Sequence, residues 1–187
     1  QHCAALALVG QGRYREAATR LDMLARAKDV PDTHFRATVF DQAGNAWMLA
    51  GDGARAIASL SSALALTGGD ADTFADLARA HAMRKEWREV DLDMDAALQL
   101  APGRADLLVL RASARRALGR LKEAWADIEQ ALKRSPNDGD ALVERGLLRK
   151  QIGDIGGAKR DFQAAIKASP SGATAAAARE NLDALND

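Results

Sequence analysis

The chain has 187 residues, 48% hydrophobic and 28% charged but only 4% aromatic, so its apolar surface is built from Ala and Leu and favours helices over sheet. Lys plus Arg number 26 against 26 Asp plus Glu, a net charge of +0 that argues against a duplex nucleic-acid partner, whose phosphates require clustered cations. The one cysteine, Cys3, excludes an internal disulfide and leaves cytosol and periplasm both open, and no apolar run approaches the roughly 18 residues of a membrane span.

The chain begins at Gln1, without a methionine and already in helical sequence. This points to an upstream segment such as a signal peptide having been removed, and it tilts the expected compartment slightly toward the periplasm. Residues 1–36 read as a degenerate leading unit: Cys3-Ala4-Ala5 with Leu8 forms one helix, and Gly12-Arg13-Tyr14-Arg15-Glu16-Ala17 with Leu21 and Leu24 a second. Ala17 and Ala56 stand 39 residues apart, and the extra residues are expected near Asp29-Val30-Pro31-Asp32-Thr33, before a lengthened helix.

From there a step of 34 residues organises the chain. Pro102, Pro136 and Pro170 keep it, and so do Ala63, Ala97, Ala131 and Ala165. Three more columns keep their size class: Phe40, Phe74, Leu108, Leu142; then Ala56, Val90, Ala124, Ala158; then Leu60, Met94, Ile128, Phe162. Within one copy the apolar positions recur with helical period on either side of a Gly153-Asp154 break, so each copy is a helical hairpin. Gly51, Gly119 and Gly153 stand where the first helix must stop, because glycine accepts the left-handed conformation beyond a C-cap. Lys85 replaces this glycine in the second copy, and Gly68 replaces the closing proline in the first. Asp72, Asp106 and Asp140 recur at helix starts, where a carboxylate favours the positive end of the helix dipole. The copies run 37–70, 71–104, 105–138 and 139–172, and residues 173–187 form a helix that caps the last apolar face. Eleven helices in one continuous domain are expected.

The period of 34, the hairpin, and the set Gly146, Ala158, Phe162, Ala165, Pro170 resemble the tetratricopeptide repeat, in particular bacterial proteins built from it. The resemblance implies an all-α, right-handed superhelical solenoid whose first helices line a concave groove that holds a peptide or a partner helix. Carried over by position, that groove comprises Thr38, Asp41, Gln42, Asn45, Met48 and Leu49; Asp72, Asp76, Arg79 and Met83; Asp106, Val109, Leu110, Ser113 and Arg116; and Asp140, Val143, Glu144, Leu147 and Lys150. Some members grip a peptide's C-terminal carboxylate with lysines, asparagines and an arginine, and only Asn45 fits that pattern here. Asp41, Asp76, Asp106 and Glu144 stand where cations or amides would be needed. An acidic floor with Arg79, Arg116 and Lys150 to one side suits a peptide of mixed or basic charge.

The remaining motifs read as structure. Asp91-Leu92-Asp93-Met94-Asp95 has the alternate carboxylates of a calcium loop, but Ala96 and Pro102 stand where its glycine and glutamate belong. Trp47, Trp87 and Trp125 occupy unrelated motif positions and read as packing residues, not as a ladder for bases. His2, His34 and His81 are scattered, no phosphate loop occurs, and no set of nucleophile, base and orienting group can be assembled. A non-enzymatic scaffold without cofactor or metal is therefore expected. Self-association through Leu6, Leu8 and Val9 of the first helix is the alternative, as is service as the accessory region of a larger protein.

Overall fold

Five of the eleven helices described start on a capping aspartate. In the computed structural model, which describes residues 1–27 and 32–185, Asp32, Asp52, Asp70, Asp138 and Asp154 each accept a hydrogen bond from the backbone N–H three residues on. Each bond satisfies one of the amides that a helix start leaves unpaired. The helices are α1 (His2–Gly10), α2 (Tyr14–Arg26), α3 (Thr33–Leu49), α4 (Gly53–Thr67), α5 (Ala71–Met83), α6 (Trp87–Leu100), α7 (Ala105–Ala117), α8 (Leu121–Arg134), α9 (Gly139–Gln151), α10 (Ile155–Ala168) and α11 (Gly172–Asp183). Among the described residues there is no strand, and no helix is long and apolar enough to cross a membrane.

The chain forms two compact units, Gln1–Ala101 and Pro102–Asp187. In the first, α1 packs on α2, α3 on α4 and α5 on α6, with α2 against α3 and α4 against α5. In the second, α7 packs on α8 and α9 on α10, followed by α11 against α10 and α9. Each unit is thus all-α and built of antiparallel hairpins joined in sequence. Of the insertion expected between 29 and 33, residues 28–31 lie outside the described part. Helix α3 is 17 residues long against 13 for α5, α7 and α9, so the lengthening is taken up as an extra turn at its start.

The turn inside each hairpin follows one recipe. The N–H groups of Asp52, Glu86, Arg120 and Asp154 reach back five residues to the carbonyls of Trp47, His81, Arg115 and Arg149. This closure needs a left-handed residue just before it. Gly51, Gly119 and Gly153 supply it with φ of 76°, 76° and 86°, and Lys85 is forced into the same conformation at φ 60°. Gly68, where the proline column fails, ends α4 as a left-handed C-cap with φ 77°.

Inside the hairpins the two helices meet at a column of small residues. Gly44, Ala78, Ala112 and Gly146 are spaced by the repeat, as are Leu60, Met94, Ile128 and Phe162, and Gly44 faces Leu60 while Gly146 faces Phe162. A Cβ on Gly44 would lie 2.5 Å from Leu60 Cγ, and one on Gly146 would lie 2.6 Å from the Phe162 ring. Phe162, Leu60, Met94 and Ile128 are all fully buried. Glycine stands where Leu60 and Phe162 fill the space that a methyl group would need.

Buried carboxylates tie the hairpins a second time. In the Pro102–Asp187 unit, Asp127 takes two hydrogen bonds from Arg111 and one from Arg115. Asp161 is held in the same way by two bonds from Arg145 and by Arg149. In the Gln1–Ala101 unit, Asp22 instead accepts from the Trp47 indole and the Ser59 hydroxyl. Trp47 is buried, as its packing role requires, while Trp87 and Trp125 are only half-buried, the latter donating to Glu129.

Two substitutions test this account by denaturant unfolding. Lys85→Gly relieves a left-handed conformation that costs an L-residue about 1–2 kcal/mol, partly offset by the greater freedom of glycine in the unfolded chain, so a gain of about 0.5–1 kcal/mol is expected. Gly146→Ala overpacks against Phe162 and should cost about 1–2 kcal/mol net of its better helix propensity. The same change in a Phe162→Ile background, which copies Ala112 and Ile128 of the preceding repeat, should cost less; equal losses in both backgrounds would show that the ring does not set the limit.

Candidate functional site

The positions carried over from the repeat lie on the first helices, and each unit presents its own set. In the first unit, α3 carries Thr38, Asp41, Gln42, Asn45, Met48 and Leu49, while its neighbour α5 carries Asp72, Asp76, Arg79 and Met83. Asn45 Nδ2 donates to Asp76 Oδ2 at 2.8 Å, and Arg79 Nη1 donates to the other oxygen at 2.6 Å. Gln42 Oε1 lies 2.6 Å from the His2 ring on α1. Met48 packs against the core, whereas Leu49 and Met83, one repeat apart, are 56% and 45% exposed and offer apolar surface to solvent.

In the second unit, Asp106 is exposed and gripped by both sides of the Arg104 guanidinium, which holds its carboxyl below the usual range. Glu144 is 6% exposed and bonded to Arg116 across α7 and α9, so it is a fastening between helices and not an open charge. Asp140 accepts from Thr174 of α11 at 2.6 Å. Val109, Leu110, Ser113, Val143, Leu147 and Lys150 are half-buried.

A rule emerges that sequence reading missed. Gln42, Asp76 and Glu144 share one repeat column, and each is bonded to the preceding first helix, through His2, Asn45 and Arg116 respectively. Arg79 and Arg116 were expected to face the acids from one side; the structure spends them on Asp76 and Glu144. The signal was present in the spacing, since polar residues of matching chemistry sit about one repeat apart, but partner choice depends on how the helices are inclined.

What stays electronegative is a cleft of about 300 Å³ in the first unit, lined by His34, Thr38, Asp41, Thr67, Asp70 and Thr73 among others. Asp41 Oδ1 is buried there without a hydrogen-bond partner. Burial first, then the charges of Asp76, Asp70 and Asp72, push its carboxyl up to about 6. Asp70 is held low by the hydrogen bond from the Thr73 backbone, its capping duty on α5. Asp70 and Thr73 were not among the expected site residues, although an aspartate directly before a helix is a legible cap. Such a cleft suits a cationic or strongly donating group. Among the described residues no group of His, Cys, Asp and Glu could hold a metal ion, and Asp91, Asp93 and Asp95 lie within the continuous helix α6.

A carboxyl raised on folding stabilises the fold below its unfolded titration, and that contribution is lost as pH rises through about 6. Asp41→Asn should therefore raise stability at pH 8 by about 1 kcal/mol, the open side of the cleft screening part of the full effect, and leave it nearly unchanged at pH 4. Thermal unfolding at the two pH values checks this; a loss at pH 8 would refute it.

The sequence model of the tetratricopeptide repeat matches residues 105–138. No curated protein matches the chain. Solved structures share its fold: "Crystal structure of MamA" superposes with a TM-score of 0.74 at 19% identity, covering 89% of this chain and 94% of that one. YrrB, described as a TPR protein with an unusual peptide-binding site, gives 0.70 at 18% identity over 94% of this chain and 88% of that one. The Arabidopsis OM64 TPR domain gives 0.61 at 26% identity over 64% of this chain and 99% of that domain. The chain thus carries a tetratricopeptide repeat at 105–138 and shares the fold of these repeat proteins, with the same hairpin recurring at 34-residue steps.

Proposed function

We propose that this protein is a non-enzymatic interaction module that binds an extended peptide or a partner helix along its first helices, and that in the Gln1–Ala101 unit the preferred segment carries a basic side chain flanked by apolar ones. The observation that carries this reading is the unpartnered Asp41 oxygen in a cleft edged by Asp70 and Thr73. A lysine or arginine entering it would supply the missing donor and relieve the repulsion among Asp41, Asp70, Asp72 and Asp76. Leu49 and Met83 on the same helices add adaptable apolar contact. A carboxylate-gripping mode is disfavoured by this charge, since an incoming anion would meet the same acids.

A short peptide buries less than a standard interface, so affinity on the order of 1 μM is expected. Selection of displayed random peptides against the full chain should enrich Lys or Arg spaced from Leu, Met or Phe. Asp41→Lys combined with Asp72→Lys, which reverses two of the charges crowded there, should weaken the selected peptides at least about tenfold and reduce their salt sensitivity. Enrichment of acidic or C-terminal-carboxylate peptides would overturn the reading.

Self-association through the first hairpin is the second reading. Of Leu6, Leu8 and Val9, Leu8 is buried and Val9 packs against the core, so the reading rests on Leu6 and Met23, 38% and 68% exposed, the latter on a cleft lined by Gln1, Ala4, Arg20, Met23, Leu24 and Ala27. Light scattering at high concentration decides it, because a strictly monomeric chain would rule it out.

A further inference from the structure

One repeat column departs from its sisters at a buried charge. Asp93, Asp127 and Asp161 occupy the same position in the second helix of three successive copies. The arginine pairs that hold the latter two, Arg111 with Arg115 and Arg145 with Arg149, correspond in the first unit to Leu77 and His81. Two permanent cations are thus replaced by a leucine and a single imidazole. Asp93 Oδ2 is buried without a hydrogen-bond partner, and the His81 Nε2 nearest to it stands 3.8 Å away. The other ring nitrogen, Nδ1, lies 2.7 Å from Glu86 Oε2, and Glu86 is also bonded by Arg84.

We propose that the α5–α6 hairpin is a proton-linked joint, held closed when Asp93 carries a proton and loosened as it loses it, while the α7–α8 and α9–α10 hairpins are locked by fixed charge. The imidazole does not stand in for the two arginines: with Nδ1 against Glu86 Oε2, its Nε2 stands 3.8 Å from Asp93 Oδ2, too far for a hydrogen bond. Neutral, it can satisfy only one of the two acids as a donor. The Asp93 carboxyl is pushed up to about 6 by burial and by Glu89, with His81 opposing. Its stabilising contribution is present below its unfolded titration and lost as pH rises through about 6. The remaining titratable carboxyl facing α5 with a comparable shift is Asp41 on α3. The joint does not depend on what the first helices bind, but α5 carries Asp72, Asp76, Arg79 and Met83, so opening it alters that face.

Hydrogen–deuterium exchange of the full chain, read by mass spectrometry at pH 5.5 and 8.0 and corrected for intrinsic chemical exchange, tests the joint. Protection of α5–α6 should fall about tenfold at the higher pH, while α7–α8 and α9–α10 change by less than about twofold. Asp93→Asn should remove the α5–α6 dependence. Leu77→Arg with His81→Arg, which installs the pair that holds Asp127, should remove it as well by raising protection at pH 8.0. If α5–α6 changes no more than the other hairpins, the proposal fails. It also fails if Asp93→Asn keeps the full dependence, which would then belong to Asp41; should the double-arginine chain not fold, the Asp93→Asn result decides alone.

Discussion

Everything in this protein depends on how closely two helices of a hairpin can approach. At Gly44 and Gly146 no side chain intervenes, and the opposing Leu60 and Phe162 fill the space that a methyl group would need. Ala78 and Ala112, in the same repeat column, are fully buried too. The contact is short-ranged and steep, because dispersion is lost across small gaps and repulsion rises within them, so it fixes the distance between the helices within a hairpin. Side chains further out then find partners, or fail to, at positions the hairpin has already decided.

Two consequences follow from that rigid unit repeated. First helices laid side by side bring one column of polar residues against the preceding helix, and the chain uses it for lateral fastening at Gln42, Asp76 and Glu144. Second helices bring a carboxylate under the first, and there the units differ. Asp127 and Asp161 are enclosed by arginines, whose charge does not vary with pH, while Asp93 is left to an imidazole. A buried carboxylate without a firm cation is costly, and so is Asp41, whose unpaired oxygen opens on a cleft of like charges. Both weakly compensated acids belong to the Gln1–Ala101 unit. In the other unit Asp127, Asp161 and Glu144 are each paired with arginine.

The repeat, its phase and the helix ends were legible because they rest on local chemistry. Pro102, Pro136 and Pro170 stop helices for want of an N–H, Gly51, Gly119 and Gly153 take the left-handed turn, and the size classes of the packing columns survive at a constant step. The positions of the exposed Leu49 and Met83 could be read in the same way, since they follow from helix register. What the candidate groove does with its charges could not be read. Arg116 and Glu144 look like two solvent-facing groups 28 residues apart until α7 and α9 are set beside each other, when they become one buried pair.

The sequence by itself determined an all-helical chain of hairpins, the period of 34 and which residues lie on the first helices, because steric and conformational preferences act within a few residues of each other. Only the tertiary structure decided which carboxylates are paired and which are stranded. Desolvation and ion pairing depend on distances of a few ångströms between residues remote in sequence, and those distances come from packing. Asp93, Asp127 and Asp161 show the difference: identical in residue type and register, they differ in state because of what the neighbouring helix presents.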